Sequence, residues 1–310
     1  LLNALHSTTA EYIISDEIMF QKGDMIDDEL LSETERNLRA AGLFNTVKIE
    51  LDSINTNTYD VYLETKDRWS FYPSLLFGSV GDETNYGGRL EEFNLFGTGT
   101  YISGEGLYRC ENDIGLQGIA KLRQRRLFRS EIGIDAYILA HQYRTEQNIK
   151  LEQTYRTLET PYAYGVQGIN SHGKEFIYHN SDSIRLIKMD EQRFNAWFSK
   201  AWWRKDRVFI TAWAEYHKVN RFDTAMVRAF DNCGKILFGF SSVAQDFYTT
   251  EKVNSFTPED ITVGGWGSAV LGKIFPISGA GGESMYYVAG YGERSYFDGK
   301  NYLFGSIIGA

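Results

Sequence analysis

Cysteine, histidine and proline are scarce in this chain of 310 residues. Its two cysteines, Cys110 and Cys233, fit no metal-ligand spacing and no disulfide framework, and they pair only if the fold brings them together. The five histidines show neither HxxxH nor HExxH spacing, so an ordinary surface position is expected for each. No metal, cofactor or catalytic residue is therefore predicted. The carboxylate pairs Glu91–Glu92 and Asp27–Asp28 favour solvated or capping roles over acid–base chemistry.

Long apolar runs and basic charge are also missing. No run approaches the roughly 18 apolar residues of a transmembrane helix. The net charge of −9 argues against a nucleic-acid partner, and the one basic run, residues 123–129, is typical of a solvated turn. A first residue other than Met and the lack of a visible signal peptide suggest a processed or trimmed product. The mean hydropathy of −0.35 fits a soluble protein and a transmembrane β-barrel equally well.

Aromatic residues and glycine are abundant instead. Aromatics make up 15% of the chain, and there are 30 glycines against 4 prolines. A composition that is rich in tyrosine and glycine and poor in proline favours long strands and tight turns over a helical enzyme.

The first 67 residues predict a small α+β domain. Residues 8–20 contain β-branched and aromatic side chains, which predicts a strand. A helix is predicted after Asp27 and Asp28, and Gly42 suits its C-cap. Two alternating runs, 44–52 and 58–67, predict two further strands. Together these segments favour one helical layer on a short sheet.

From Trp69 onward the hydrophobic period is two. About 12 or 13 strands are predicted, several of them 10 to 14 residues long, which matches the roughly 9 to 11 residues that a tilted strand needs to cross a bilayer. Short links are expected at residues 97–100, 203–207 and 297–301, and long polar links at 171–183 and 220–235. This alternation of link lengths is typical of outer-membrane barrels.

The stretch from Arg68 to Tyr108 marks the change between the two kinds of periodicity. Within it, residues 69–77 predict a first barrel strand, 81–85 an external turn, and NLFGTG a tight corner on the opposite side. Pro73 lies inside the first strand, where it removes a ladder donor. It indicates either a simple strand entry or a first strand that pairs weakly.

The two parts of the chain resemble a known family in this order. Residues 20–52 resemble a POTRA (polypeptide-transport-associated) repeat, and residues 87–108 resemble the start of the barrel in the BamA/TamA superfamily of outer-membrane assembly factors. The POTRA-like residues are Gly23, Leu38, Gly42, Phe44 and Val47, and those of the barrel corner are Asn94, Phe96, Gly97 and Gly99.

The resemblance implies a mainly β fold, with a periplasmic POTRA-like domain at residues 1–67 and an outer-membrane barrel at 68–310. The family's barrel has 16 strands, so the last strands are expected to be missing here. The implied activity is non-enzymatic, with outer-membrane lipids, unfolded outer-membrane or secreted polypeptides and accessory lipoproteins as partners. Three features depart from the family: a single POTRA-like unit, no RGF or RGY signature in the loop expected near 276–284, and no terminal aromatic after SIIGA.

The implied mechanism uses the seam where the first and last barrel strands meet. A weakly paired seam exposes backbone groups that can template an incoming strand. The predicted seam residues are Trp69, Ser70, Phe71, Pro73, Leu75 and Phe77, and residues 45–51 are a possible second docking edge. The alternatives are a two-partner secretion pore, the barrel anchor of a patatin-like lipase whose enzyme domain would lie upstream, and a plain porin or soluble β protein.

Overall fold

A computed structural model describes residues 7–56, 58–80, 83–179, 183–202, 206–222, 230–252, 258–277 and 282–310. The chain forms two compact units. The first comprises Leu1–Pro73, Leu90–Ile102 and Phe247–Thr262, and the second comprises Ser74–Arg89, Ser103–Asp246 and Val263–Ala310. The predicted domain boundary between residues 67 and 68 stays a prediction.

Within the described residues two α-helices and a hairpin come first, and thirteen further strands follow. The helices are α1 (Glu11–Ser15) and α2 (Asp28–Ala40), and the hairpin is β1 (Phe44–Asn55) and β2 (Thr58–Asp67). The remaining strands are β3 (Phe71–Val80), β4 (Glu83–Leu95), β5 (Thr100–Arg109), β6 (Gly115–Gln124), β7 (Gly133–His141), β8 (Arg144–Gln153), β9 (Tyr162–His179), β10 (Ser183–Trp202), β11 (Arg207–Arg221), β12 (Cys233–Thr250), β13 (Glu259–Pro276), β14 (Met285–Phe297) and β15 (Tyr302–Gly309).

Helix α2 is confirmed, together with both of its predicted ends. The Asp27 carboxylate accepts hydrogen bonds from the backbone N–H groups of Glu29 and Leu30, which is the usual role of an acidic N-cap. At the other end Gly42 takes φ +72°, where a side chain would be strained. The buried face of α2 packs Leu38 into the core of this unit, with Leu43, Phe44 and Val47.

The strand predicted at residues 8–20 is wrong. Within that segment only residues 11–15 form a regular element, which is α1, and Ile13 and Ile14 pack against the core formed by Leu38 and its neighbours. Tertiary packing of two adjacent isoleucines has overridden their β propensity. The small sheet of this unit therefore pairs β1 with β2 only, within the residues that the structure describes.

The predicted run of strands is confirmed as one antiparallel sheet. In the part of the chain that the structure describes, its thirteen strands follow the order β15-β14-β13-β12-β11-β10-β9-β8-β7-β6-β5-β4-β3, so every strand pairs with its neighbours in sequence. The mainly β fold is confirmed with it. Strands β3 and β15 stand at the two ends of this order.

The predicted connections between strands are confirmed only in part. The long link expected at 171–183 is wrong, because β9 runs on to His179 and β10 begins at Ser183. The turn expected at 81–85 is shorter than predicted, because Glu83 already begins β4. Residues 203–205, 223–229 and 278–281, which belong to the links expected at 203–207 and 220–235 and to the loop expected at 276–284, lie outside the described residues. Cys110 and Cys233 are unpaired.

Among the described residues, no helix is both long enough and apolar enough to cross a membrane.

Candidate functional site

The large sheet presents its apolar side chains to the surroundings. On β10 and β11 the even-numbered residues form one face, here called the apolar face, and Phe194 and Phe198 on it are 53% and 49% exposed. The same face continues on β12 with Ile236, Phe238 and Phe240, all about half exposed. A water-soluble sheet would bury such a face against a second layer.

The opposite side of the same strands, here called the polar face, is covered. Its odd-numbered residues include Asn195, Ser199, Arg207 and His217, each less than 9% exposed. The usual relation between polarity and exposure is thus inverted across this part of the sheet. This is the arrangement of strands that face lipid on one side and a polar interior on the other.

Strand register places the apolar side chains in continuous rows. One row crosses six strands, from Ile134 in β7 to Ile236 in β12. Its members are Ile134, Leu151, Val166, Ala196, Ala214 and Ile236. Along β10 the apolar face extends from Phe194 to Trp202. The eight residue-to-residue steps from Phe194 to Trp202 span about 27 Å, and at the usual tilt this gives a band about 20 Å tall.

Aromatic side chains mark both ends of this band. Phe194 pairs with Tyr216 at one end. At the other end, the Lys200 ammonium lies 5.6 Å from the ring centre of Tyr162 and 5.1 Å from that of Trp202. Amphipathic aromatics and a lysine that reaches past them are typical of a membrane–water interface.

A network of charges occupies the polar face. The Glu191 carboxylate accepts from Arg193 at 2.9 Å and from Arg144 at 3.4 Å, and it lies 3.0 Å from His217 Nε2. Arg221 pairs with Glu175 at 3.1 Å, and Lys235 with Glu215 at 2.6 Å. Such pairs allow charged side chains to be covered without leaving an isolated charge.

His217 corrects the expectation that every histidine is an ordinary surface residue, since it is 8% exposed. The signal was present in the sequence. His217 has the same parity on β11 as Thr211 and Glu215, which the alternation assigned to the polar side.

The predicted seam residues divide into two groups. Trp69 and Ser70 precede β3, and Ser70 is 1% exposed, so it is not part of an open edge. Pro73, Leu75 and Phe77 lie in β3 on one face, with Leu75 80% and Phe77 76% exposed; Phe71 begins the strand. Among the described residues β3 pairs with β4 alone. The Pro73 position inside the end strand is confirmed.

The β1 edge expected to dock a client is partly occupied. The Glu35 carboxylate accepts a hydrogen bond of 2.7 Å from the backbone N–H of Ile49. This amide is therefore unavailable to an added strand unless Glu35 moves away.

The NLFGTG corner is confirmed, and it is held by a chain of hydrogen bonds. Asn94, 3% exposed, accepts from the Gly99 N–H at 2.8 Å and donates to Thr9 Oγ1 at 2.9 Å. Thr9 in turn donates to the Asp67 carboxylate at 2.5 Å. Phe96 and Gly97 both have positive φ, and Gly97 O accepts from the Ala10 N–H at 2.9 Å. The corner between β4 and β5 is thereby tied to the end of β2.

Arg68 makes a second set of contacts near the start of β3. Its guanidinium lies 5.4 Å from the ring centre of Tyr72 and 5.0 Å from that of Phe93, and its backbone N–H donates to Leu43 O at 2.9 Å. Tyr72 and Phe93 themselves meet edge to face. Cation–π contacts of this kind contribute about 0.5–1 kcal/mol each at exposed sites.

A third contact joins α2 to the start of β13. Arg39 donates from Nε and Nη2 to both oxygens of Asp260, each at 3.0 Å, and Thr249 Oγ1 donates to the same carboxylate at 2.6 Å. Beside them Arg36 lies 4.5 Å from the ring centre of Phe247. A two-pronged arginine–carboxylate pair is among the stronger polar contacts in proteins.

The pKa of Asp260, which lies in the first unit and outside the apolar band, reflects this contact. Burial opposes ionisation of its carboxyl, but the hydrogen bonds from Arg39 and Thr249 and the nearby charges of Arg39 and Arg36 hold the pKa below its usual value. The ionised form is therefore the one that holds α2.

The carboxylates singled out in the sequence make structural hydrogen bonds. Asp27 caps α2, Glu91 accepts from the Tyr101 hydroxyl at 2.8 Å, and Glu92 accepts from the Asn94 N–H at 2.9 Å. Within the described ranges, no group of three His, Cys, Asp or Glu residues is arranged to hold a metal ion. Of the POTRA-like residues, Leu38, Phe44 and Val47 are buried in the core. Gly23 has φ +100°, and no other heavy atom lies within 4 Å of the position that a Cβ would take there.

Comparison with solved structures finds 48 similar chains, two of which are the following. The chain is similar to BamA. The match is to BamA from Haemophilus ducreyi lacking POTRA domains 1–3, at 9% identity and a TM-score of 0.42, and it covers 97% of this chain and 78% of that one. The second is CdiB from Acinetobacter baumannii, at 12% identity and a TM-score of 0.41, covering 98% of this chain and 65% of that one. No protein-family model and no curated sequence matches the chain.

Proposed function

We propose that this chain is an outer-membrane β-barrel protein that helps other polypeptides enter the membrane, with its POTRA-like residues 1–67 in the periplasm. One observation carries the membrane assignment, namely the exposed apolar face opposite a covered, charged face on β8 to β12. An apolar band about 20 Å tall with aromatic ends fits the lipid-facing belt of such barrels. It does not fit a soluble β-sandwich, whose apolar faces pack together.

The proposed working element is the edge of β3. Pro73 cannot donate to a ladder, and β3 ends the described sheet. An end strand with one pairing partner offers its free N–H and C=O groups to an incoming strand, which is the physical basis of strand addition.

The contacts at the β4–β5 corner and at Arg68 support a second part of the proposal. They hold the polypeptide that enters β3, so that the strand begins from a fixed position. We infer that a fixed start with a weakly paired strand lets the edge open without loosening the rest of the sheet.

Crosslinking from single cysteines tests this function. In a full chain whose Cys110 and Cys233 are replaced by alanine, cysteine is placed at Leu76 on the β3 edge, at Thr211 on the polar face of β11, or at its neighbour Ala212 on the apolar face. Each variant is reconstituted in vesicles and supplied with an unfolded outer-membrane protein that carries a thiol-reactive group.

Crosslinking from Leu76→Cys, and little from the other two, is the expected result. Crosslinking mainly from Thr211→Cys would instead indicate a polypeptide that passes along the polar face, as in a secretion pore. Equal crosslinking at Ala212→Cys would mean contact with the outside of the sheet, and the proposed role of the β3 edge would be lost.

A further inference from the structure

A polar pocket lies on the apolar face of the sheet, immediately beyond the aromatic row of Phe194 and Tyr216. It has a volume of about 370 Å³. Register places six of its seven lining residues in two rows across β9, β10 and β11, and the seventh, Ser171, lies between the two rows on β9. The first row is Asn170, Gln192 and Lys218, and the second is His172, Asp190 and Asn220.

Several of these side chains lack partners. Within the residues that the structure describes, the side chains of Gln192, Lys218 and Asn220 make no hydrogen bond or ion pair, although all three are exposed beside the pocket. Asp190, by contrast, already contacts His172 Nδ1. The pocket therefore offers one ammonium and two amide groups that are free to bind a ligand.

The charge around the pocket is positive. The next row beyond it pairs Lys174 with Lys188, and both lysines are exposed on the same face. Asp190 is the one carboxylate that lines the pocket among the described residues, against the three lysines Lys174, Lys188 and Lys218 on the same face. A cluster of lysines with amide donors selects an anion with several oxygens, such as phosphate.

The position of the pocket indicates what bears that phosphate. Two residues further along β10 and β11 lie Phe194 and Tyr216, the aromatic side chains that end the apolar band, and Gly168 takes the matching position on β9. Beyond this row lies the row of Leu151, Val166 and Ala196. A ligand that fills the pocket thus places anything attached to it along an apolar surface. We propose that this pocket binds the phosphate-bearing headgroup of a membrane lipid whose acyl chains lie on the apolar face. The inference rests on the membrane placement proposed above.

Native mass spectrometry of the full chain, released from detergent micelles, tests the inference. The probes are dioleoyl phosphatidic acid, dioleoylglycerol, which has the same chains without the phosphate, and inorganic phosphate. The variants are Lys218→Gln, Lys218→Arg and a control, Lys300→Gln, in the exposed turn between β14 and β15. Folding of each variant is checked by heat-modifiable migration, and insertion by protection from protease in vesicles.

The native chain and Lys300→Gln are expected to retain phosphatidic acid but not dioleoylglycerol. Lys218→Gln should lower the retained fraction about tenfold, because it removes a charge-assisted contact, and Lys218→Arg should restore most of it. Inorganic phosphate should not displace the lipid.

Other results would overturn the inference. Equal retention of dioleoylglycerol, or unchanged retention in Lys218→Gln, would show that the pocket does not select the phosphate. Displacement by inorganic phosphate would make the pocket a site for small anions instead of lipid. A chain that inserts into vesicles without this preference contradicts only the present inference, whereas a chain that fails to insert contradicts the proposed function.

Discussion

At the scale of single residues, the pair of Arg39 and Asp260 is the contact whose removal should be most informative. Both side chains are about 15% exposed, so the pair is partly shielded from water, and Thr249 adds a further hydrogen bond. Removing one partner of such a pair leaves the other charge without compensation.

Arg39→Met is therefore expected to destabilise the docking of α2 by about 1.5–3 kcal/mol, the usual range for hydrogen bonds to charged groups. This destabilisation is measured in the full chain as faster hydrogen exchange of the α2 amides in Arg39→Met. The control is Lys48→Met, which removes the exposed contact with Glu50 and should change little. Equal exchange in Arg39→Met and the native chain would show that the pair does not hold α2.

The same contact should respond to acid. The folded-state pKa of Asp260 is lowered, so its contribution is complete above the unfolded value of about 3.9 and is lost as the pH falls through the lower folded value. Exchange of α2, corrected for its intrinsic pH dependence, should thus rise below about pH 4 in the native chain and rise less in Arg39→Met.

Residue-level predictions from the sequence succeeded where local chemistry decides. Asp27 at the N-cap and Gly42 at the C-cap required nothing beyond their neighbours in sequence. The contact of Arg39 with Asp260 and those of Glu191 with Arg144 and His217 could not be predicted, because Asp260 is 221 residues from Arg39 and Arg144 and His217 lie on strands other than that of Glu191. Such contacts depend on register, which a single sequence does not specify.

At the scale of elements, the β4–β5 corner links local backbone geometry to the rest of the first unit. Gly97 has φ +75°, and a Cβ there would lie 2.3 Å from Thr8 O. The corner therefore cannot accept a side chain unless the backbone of the N-terminal segment shifts.

Gly97→Ala is expected to destabilise the folded chain by more than about 1 kcal/mol, since the strain of positive φ adds to the clash with backbone. Gly104→Ala in β5 is the matched control, because no atom lies within 4 Å of the added Cβ, and its effect should stay within about 0.5 kcal/mol. The stabilities of the two variants are compared by the temperature at which each loses its heat-modifiable migration. Similar temperatures for both variants would contradict the role given to the corner.

Helices and strands could be predicted where the hydrophobic periodicity is visible within a single segment of the sequence. The alternation in β6, β7, β10 and β11 gave both the strands and their faces. The failures have physical causes. In residues 11–15 packing of Ile13 and Ile14 outweighed β propensity, and in residues 171–179 polar side chains continue a strand that the sequence suggested had ended. A strand that extends past an apolar band becomes polar on both faces and so resembles a loop.

At the scale of the whole molecule, the account depends on which side of the large sheet faces lipid. The exposed apolar face, its aromatic ends and the charged network around Glu191 all follow from one alternation along β8 to β12. The proposed function and the proposed lipid pocket both depend on this assignment.

Spin labels placed singly at residues 208–216 of β11 test it most directly. In the full chain reconstituted in vesicles, collision with oxygen, which dissolves in lipid, is compared with collision with a water-soluble nickel complex. The account predicts high oxygen and low nickel accessibility at Ile210, Ala212 and Ala214, alternating with low oxygen accessibility at Thr211 and Trp213. Nickel accessibility at the even-numbered positions, or no alternation at all, would contradict it.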